Sequence, residues 1–125
     1  MPIDATLPYD KNNIFARILR GEIPCRKVHE DEHALAFHDI NPAAPVHILV
    51  IPKGDYVSWD DFSARASAEE IAGFVRAVGH VGREQGLVAP GYRVLANTGG
   101  HAGQEVPHLH VHIFGGARLG PMLAR

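Results

Sequence analysis

The pattern of polar and apolar positions along the chain predicts five strands. The runs 26–30 and 34–38 flank Asp31 and Glu32 and indicate a hairpin, and the continuous apolar run 47–51 is typical of a central strand. A fourth strand is expected over 92–97. In the fifth, 108–114, three histidines alternate with apolar residues, so the imidazoles share one face of the strand and the apolar side chains share the other.

Two helices are predicted around these strands. Asn12-Asn13 can cap the first helix, and Ser67-Ala-Glu-Glu70 is a capping box that begins the second. Gly73, Gly79 and Gly82 each weaken the second helix by about 1 kcal/mol relative to alanine, which indicates either close packing against another element or a tolerated flaw. The apolar stripe expected on this helix consists of Ile71, Phe74, Val75, Val78 and Val81.

This arrangement of elements predicts an α+β fold built on an antiparallel sheet, because the connections have hairpin length. The chain has no βαβ rhythm and no GxGxxG motif, which argues against a dinucleotide-binding fold. We expect a loose N-terminal arm over residues 1–11, one domain over 12–116 and a C-terminal tail over 117–125.

Composition and charge narrow the possible functions. With 125 residues, 46% of them hydrophobic and 21% charged, the chain suits one globular domain. A formal charge of −2 gives no global field that would attract nucleic acid or an anionic membrane. Cys25 is the only cysteine, and residues 1–13 lack the apolar core of a signal peptide, so a soluble protein of the reducing cytoplasm is expected. Histidine, with nine copies, is the unusual residue type.

Three interpretations of the triple-histidine strand compete. A structural role suits the isolated His29, His33 and His80. It does not suit three rings on one face of a strand, because removing them from water costs free energy that a purely structural role would not recover. In a metal site, the HxH pattern could place two imidazoles on zinc, yet no Asp or Glu follows the strand to complete or orient such a site. In nucleophilic catalysis, a neutral imidazole attacks phosphorus, and the N–H groups of the preceding glycine-rich loop, 97–106, surround the phosphate oxygens.

The run His108-Leu-His110-Val-His112-Ile-Phe-Gly-Gly resembles the signature of the histidine-triad (HIT) superfamily, His-φ-His-φ-His-φ-φ with φ apolar. Gly103-Gln104 and the segment Ala36–Pro52 are similar to the Hint branch, the histidine-triad nucleotide-binding proteins. The resemblance extends from about residue 12 to residue 116. It implies a five-stranded antiparallel sheet with two helices, and a homodimer in which two protomers form a ten-stranded sheet.

The resemblance also implies an activity: a purine nucleoside phosphoramidase that hydrolyses the P–N bond of nucleoside 5′-monophosphoramidates without a metal or other cofactor. His110 would be the nucleophile and form a nucleotidyl-histidine intermediate. His112 would contact the α-phosphate and the leaving group, and His108 and His47 would form a relay that orients His110.

Nucleotide-binding positions follow from the same resemblance. Asp39 would accept hydrogen bonds from the ribose hydroxyls. Glu105 stands where animal members have serine. The phosphate would be lined by Asn97, Gly103, Gln104 and Glu105, with Val106 beside them, and the purine would be framed by Ile14, Phe15, Ile18, Ile23, Phe37, His38 and Ile40. From the residues alone, the first helix would be core packing, and that alternative stays open for Ile18 and Leu19.

Two other functions remain possible at this point. The protein could be a nucleotide-binding or interaction module with vestigial hydrolase activity, or a metal-dependent hydrolase that uses the HxHxH strand. The complete set of His47, His108, His110 and His112 favours the enzyme.

Overall fold

The computed structural model describes residues 3–124. Met1 and Pro2 of the expected arm and Arg125 of the expected tail lie outside the described residues. In chain order the elements are α1 (Ile14–Leu19), β1 (Lys27–Glu30), β2 (Ala34–His38), β3 (Val46–Pro52), α2 (Trp59–Arg65), α3 (Ala68–Glu84), β4 (Arg93–Leu95) and β5 (Val111–Gly115).

The five strands form one antiparallel sheet in the order β1-β2-β3-β5-β4. The predicted α+β class, the hairpin of β1 and β2 and the central position of β3 are thereby confirmed. In the register of β3 and β5, His47 lies opposite Phe114, and Leu49 lies opposite His112. Since directly opposed residues share a face, His47 and His112 point to the same side of the sheet.

Both faces of the central strand are covered, which explains its unbroken apolar run. Ile48 and Val50 pack in a core with Phe74 of α3. Leu49 and Ile51 pack in a second, smaller core on the opposite face, together with Phe15, Leu35 and Phe37. Burying a side chain of this size stabilises the fold by about 1.5–3 kcal/mol. The two histidines lie on the face of the second core.

Of the three glycines in α3, two are explained by close packing against a neighbouring element and one is a tolerated flaw. A Cβ on Gly73 would clash with the His33 ring, and one on Gly82 would lie 2.6 Å from Tyr92, so at both positions a neighbour packs directly on the helix backbone. A Cβ on Gly79 would meet the flexible end of Arg83 at 3.2 Å, which makes this glycine a tolerated flaw. In the predicted stripe, Val75 is 54% exposed, and Ala77 takes its place in the core.

A third helix, α2, adds to the two that were predicted. The Ser58 side chain accepts from the helix N-terminus, and Asp61 accepts from the N–H groups of Val57 and Ser58, which completes a capping box with aspartate in place of the usual glutamate. In α1 the predicted cap is confirmed, since the Asn13 side chain accepts from the N–H of Ala16.

The two last strands are shorter than expected. β5 begins at Val111, so His108 and His110 precede it, and β4 covers only three residues. The segment before β5 is tied to the loop after β3, because the N–H of Leu109 donates to the Tyr56 carbonyl at 2.8 Å. Within residues 3–124, the helices lack the length and apolar character that crossing a membrane requires.

Candidate active site

A cavity of about 350 Å³ opens on the sheet face that carries His47 and His112. This volume lies within the range of about 300–1,000 Å³ that is usual for small-molecule sites. Its walls come from β3, β5, the turn after β2 and the glycine-rich loop, and the lining residues are Asp39, Asn41, Ala43, His47, Asn97, Gly103, Glu105, His110 and His112.

The His110 ring presents a lone pair to this cavity. Its Nδ1 lies 2.8 Å from the main-chain carbonyl oxygen of His108, which can only accept, so Nδ1 carries the proton. Nε2 of His110 has no hydrogen-bond partner among the described residues. Because every fully buried side-chain nitrogen or oxygen among them does have a partner, Nε2 is not fully buried, and it opens on the cavity that His110 lines. Burial lowers the pKa of His110, against the opposing charge of Glu105. The ring is neutral and nucleophilic near pH 7.

The His47 and His112 rings form a second hydrogen-bonded unit. The N–H of Ala43 donates to Nδ1 of His47 at 3.0 Å, so the proton of neutral His47 is on Nε2, and this Nε2 donates to Nδ1 of His112 at 2.9 Å. Burial lowers the pKa of His47 below its usual value and that of His112 to about 4. Neutral His112 therefore carries its proton on Nε2.

These two tautomers place complementary groups side by side. His110 offers an electron pair and His112 offers an N–H donor, with ring centroids 5.1 Å apart. Such a pair can attack an electrophile while holding one of its oxygens or protonating its leaving group.

The expected relay of His108 and His47 is arranged differently. His47 contacts His112 and not His110. The His108 side chain is completely buried, its Nε2 lies 2.9 Å from the Pro52 carbonyl, and its Nδ1 lies 2.6 Å from the Tyr9 hydroxyl. The rings of His110 and His112 line the cavity together, whereas the buried ring of His108 does not line it. The hydrogen bond between the two residues is made by the main-chain carbonyl of His108.

Gln104, expected at the phosphate, has a buried side chain that is hydrogen-bonded within the protein. Its side-chain oxygen accepts from the N–H of Gly99 at 2.9 Å, and its amide donates to the carbonyls of Val57 and Val106 at 2.7 and 3.0 Å. The expected Asn97, Gly103 and Glu105 do line the cavity. The side chain of Gln104 thus holds the loop together through three hydrogen bonds.

Asp39 also lies at the cavity, as expected. One carboxylate oxygen accepts from the N–H of Asn41 at 2.8 Å, and the other lies 3.4 Å from Nε2 of His47. Its negative charge opposes the lowering of the His47 pKa by burial.

The residues expected around a purine divide into enclosed and open positions. Phe15 and Phe37 are buried in the second core, and the Phe15 ring packs edge-on against His110 at 5.0 Å. Ile40 is 87% exposed and Ile14 is 45% exposed. Ile23 and His38 are partly buried. Ile18 and Leu19 pack against the second core, as Val106 does.

The structure also brings together residues that sequence reasoning left apart. A ligand atom from each of Asp39, His47 and His112 lies within 4.8 Å of the other two, a spacing that could hold a metal ion. The carboxylate comes from the turn after β2, so the sequence around the histidine strand does not predict it. Glu32, His33 and Glu69 form a similar group. Tyr9, Asn41 and Ala43 were also missed; Asn41 and Ala43 lie in the turn that carries Asp39, but Tyr9 has no local signal.

Known proteins resemble this chain over nearly its whole length. A family model described as the HIT domain matches residues 20–119. A 13.2 kDa HIT-like protein of Azospirillum brasilense is 70% identical, over 94% of this chain and 96% of the relative. The purine nucleoside phosphoramidase of Escherichia coli is 40% identical, over 91% and 95%. The solved structure of a HIT family hydrolase from Clostridium thermocellum has a TM-score of 0.82 and 38% identity, over 91% of this chain and 98% of that one. Motif, fold and relatives agree, and the chain belongs to the HIT family.

Proposed function

We propose that this protein is a purine nucleoside phosphoramidase, which hydrolyses the P–N bond of nucleoside 5′-monophosphoramidates of the adenosine type. The observation that carries the proposal is the open Nε2 of His110, whose Nδ1 is held by the His108 carbonyl. The neighbouring N–H of His112 suits a phosphoryl oxygen or a leaving amine. The relative in Escherichia coli bears the name of this activity.

The reaction proceeds in two steps. The anionic phosphoryl group favours the charged form of a nearby imidazole, so the His47–His112 pair takes up a proton when substrate binds. Nε2 of His110 then bonds to phosphorus, the P–N bond breaks, and the amine leaves with that proton. In the second step, water bonds to phosphorus, its proton returns to the pair, and the bond to His110 breaks to release the nucleoside monophosphate.

Recognition of the nucleoside rests on the cavity rim. The Asp39 carboxylate suits the two ribose hydroxyls, because a charged acceptor strengthens such hydrogen bonds. The exposed side chains of Ile14 and Ile40 offer apolar surface to a purine, and Asn97 and Gly103 line the same cavity as the catalytic rings.

Turnover of a fluorogenic adenosine phosphoramidate tests this function. The wild type should turn over, and His110→Ala should lose at least about 10³-fold because the nucleophile acts as a unit with its partners. His80→Ala is the matched control, since His80 lies half-exposed on α3 and pairs with Glu84. Nucleotide binding by the wild type without turnover would favour the binding-module alternative instead.

The spacing of Asp39, His47 and His112 favours one second candidate, a metal-dependent hydrolase. A metal held there would bind imidazole lone pairs and so displace the proton that joins His47 to His112 in the proposed mechanism. We expect activity to survive exhaustive treatment with chelator. Activity lost in chelator and restored by zinc would replace the proposed mechanism with the metal-dependent one.

We further propose that the protein is a homodimer in the cytoplasm, joined along β4 into a ten-stranded sheet. β4 is an edge strand. Val94 on it and Trp59, which line one surface pocket, are both about half-exposed. An unpaired apolar edge favours pairing with a second copy. Light scattering should report twice the mass of the chain, and Val94→Lys should shift the protein towards monomer. A wild-type monomer would exclude the dimer.

A further inference from the structure

The N-terminal arm is not loose where it meets the histidines. The Tyr9 hydroxyl lies 2.6 Å from Nδ1 of His108, and the two rings meet edge-on with centroids 5.5 Å apart. These residues are 99 positions apart in the chain. The contact therefore joins the arm to the segment that carries the proposed nucleophile.

The hydrogen bonds around His108 define its tautomer. The Pro52 carbonyl can only accept, so Nε2 of His108 carries a proton. Burial lowers the pKa of His108 to about 4, which leaves the ring with this one proton near pH 7. Nδ1 is consequently an acceptor, and the Tyr9 hydroxyl donates to it. Burial also raises the pKa of Tyr9, so its phenol stays protonated.

The fixed ring in turn holds the chain that orients His110. Residues 108–110 precede β5, so the sheet ladder does not hold them. They are held by the packing of Leu109 in the core, by its N–H bond to Tyr56 and by the two bonds of the His108 ring. The His108 carbonyl, part of this segment, is the acceptor that directs Nε2 of His110 into the cavity.

We propose that Tyr9 is a positioning residue: its hydroxyl fixes the tautomer and orientation of His108 and, through the His108 carbonyl, the direction of the His110 lone pair. The kinetic part of this inference rests on the phosphoramidase proposal. Tyr9 does not line the cavity and so contributes to turnover without contributing to substrate binding.

Tyr9→Phe removes the hydroxyl and keeps the ring. We expect kcat on the fluorogenic phosphoramidate to fall about 10-fold, since small misplacement of a reacting group is costly, while KM stays within about twofold. Tyr92→Phe is the matched control, because Tyr92 packs against Gly82 on the α3 side of the sheet and should keep wild-type kcat. Thermal unfolding of both variants checks that they fold.

Imidazole ¹⁵N NMR measures the effect of Tyr9 on the His108 tautomer and pKa directly, without a turnover assay. In the wild type near pH 7, His108 should be neutral and protonated on Nε2. In Tyr9→Phe, its Nδ1 resonance should shift and its pKa should rise, because a donor that stabilises the neutral ring is lost. A His108 proton on Nδ1, an unchanged His108 spectrum in Tyr9→Phe, or wild-type kcat in that variant would each overturn the inference. An inactive wild type would overturn the phosphoramidase proposal, and the His108 and His110 spectra would then decide the positioning role alone.

Discussion

Acid should destabilise this protein through His108, the most deeply buried of the triad rings. Its pKa is about 4 in the folded protein, against a usual 6.5. The unfolded chain therefore takes up a proton first as the pH falls. The stability associated with the neutral ring is complete above the unfolded pKa and is lost progressively as the pH falls towards the folded one. Over about pH 7 to 4.5, the loss from this ring amounts to roughly 2 to 3 kcal/mol.

Urea unfolding of wild type and His108→Gln at both pH values measures this contribution. Glutamine does not titrate and can still donate to the Pro52 carbonyl, so the variant should lose about 2 kcal/mol less than wild type between the two pH values. His80→Gln, at the half-exposed partner of Glu84, should retain the full acid loss of the wild type. Equal acid losses in wild type and His108→Gln would refute the reasoning, because the buried ring would then not be held neutral.

Two further predictions concern the ribose and helix α3. Asp39→Ala should weaken binding of a ribonucleotide by about 1.5–3 kcal/mol and that of its 2′,3′-dideoxy analogue by less, as measured by calorimetry; equal losses would remove Asp39 from the ribose. Gly73→Ala should destabilise the protein by about 1–2 kcal/mol in urea, since overpacking against His33 outweighs the helix propensity gained, whereas Gly79→Ala should be neutral or stabilising. Destabilisation of the same size in both would contradict the packing argument.

Local periodicity was sufficient for most of the fold. The strands β1, β2 and β3 lie within a residue or two of their predicted bounds, because alternation and turn residues act over short distances. Alternation placed the start of β5 too early, at His108. The apolar and imidazole positions still alternate there, but the chain is not yet paired as a strand of the sheet. Helix α2 was missed because its capping box uses aspartate.

Much of the site depends on contacts that no local pattern encodes. His47 and His112 are 65 residues apart in sequence, and only the register of β3 and β5 brings them together. The Tyr9–His108 bond spans a longer separation still. The motif therefore indicated which rings matter, whereas their tautomers and partners depend on tertiary packing.

The nucleotidyl-histidine intermediate is the central claim, and rapid quenching tests it most directly. Wild-type protein mixed with an adenosine phosphoramidate and quenched in alkaline denaturant, which preserves P–N bonds, should contain an adduct heavier by one nucleoside monophosphate. Peptide mapping should place it on His110, whose Nε2 is open to the cavity. An adduct on another residue, or turnover by His110→Ala at nearly the wild-type rate, would contradict the account.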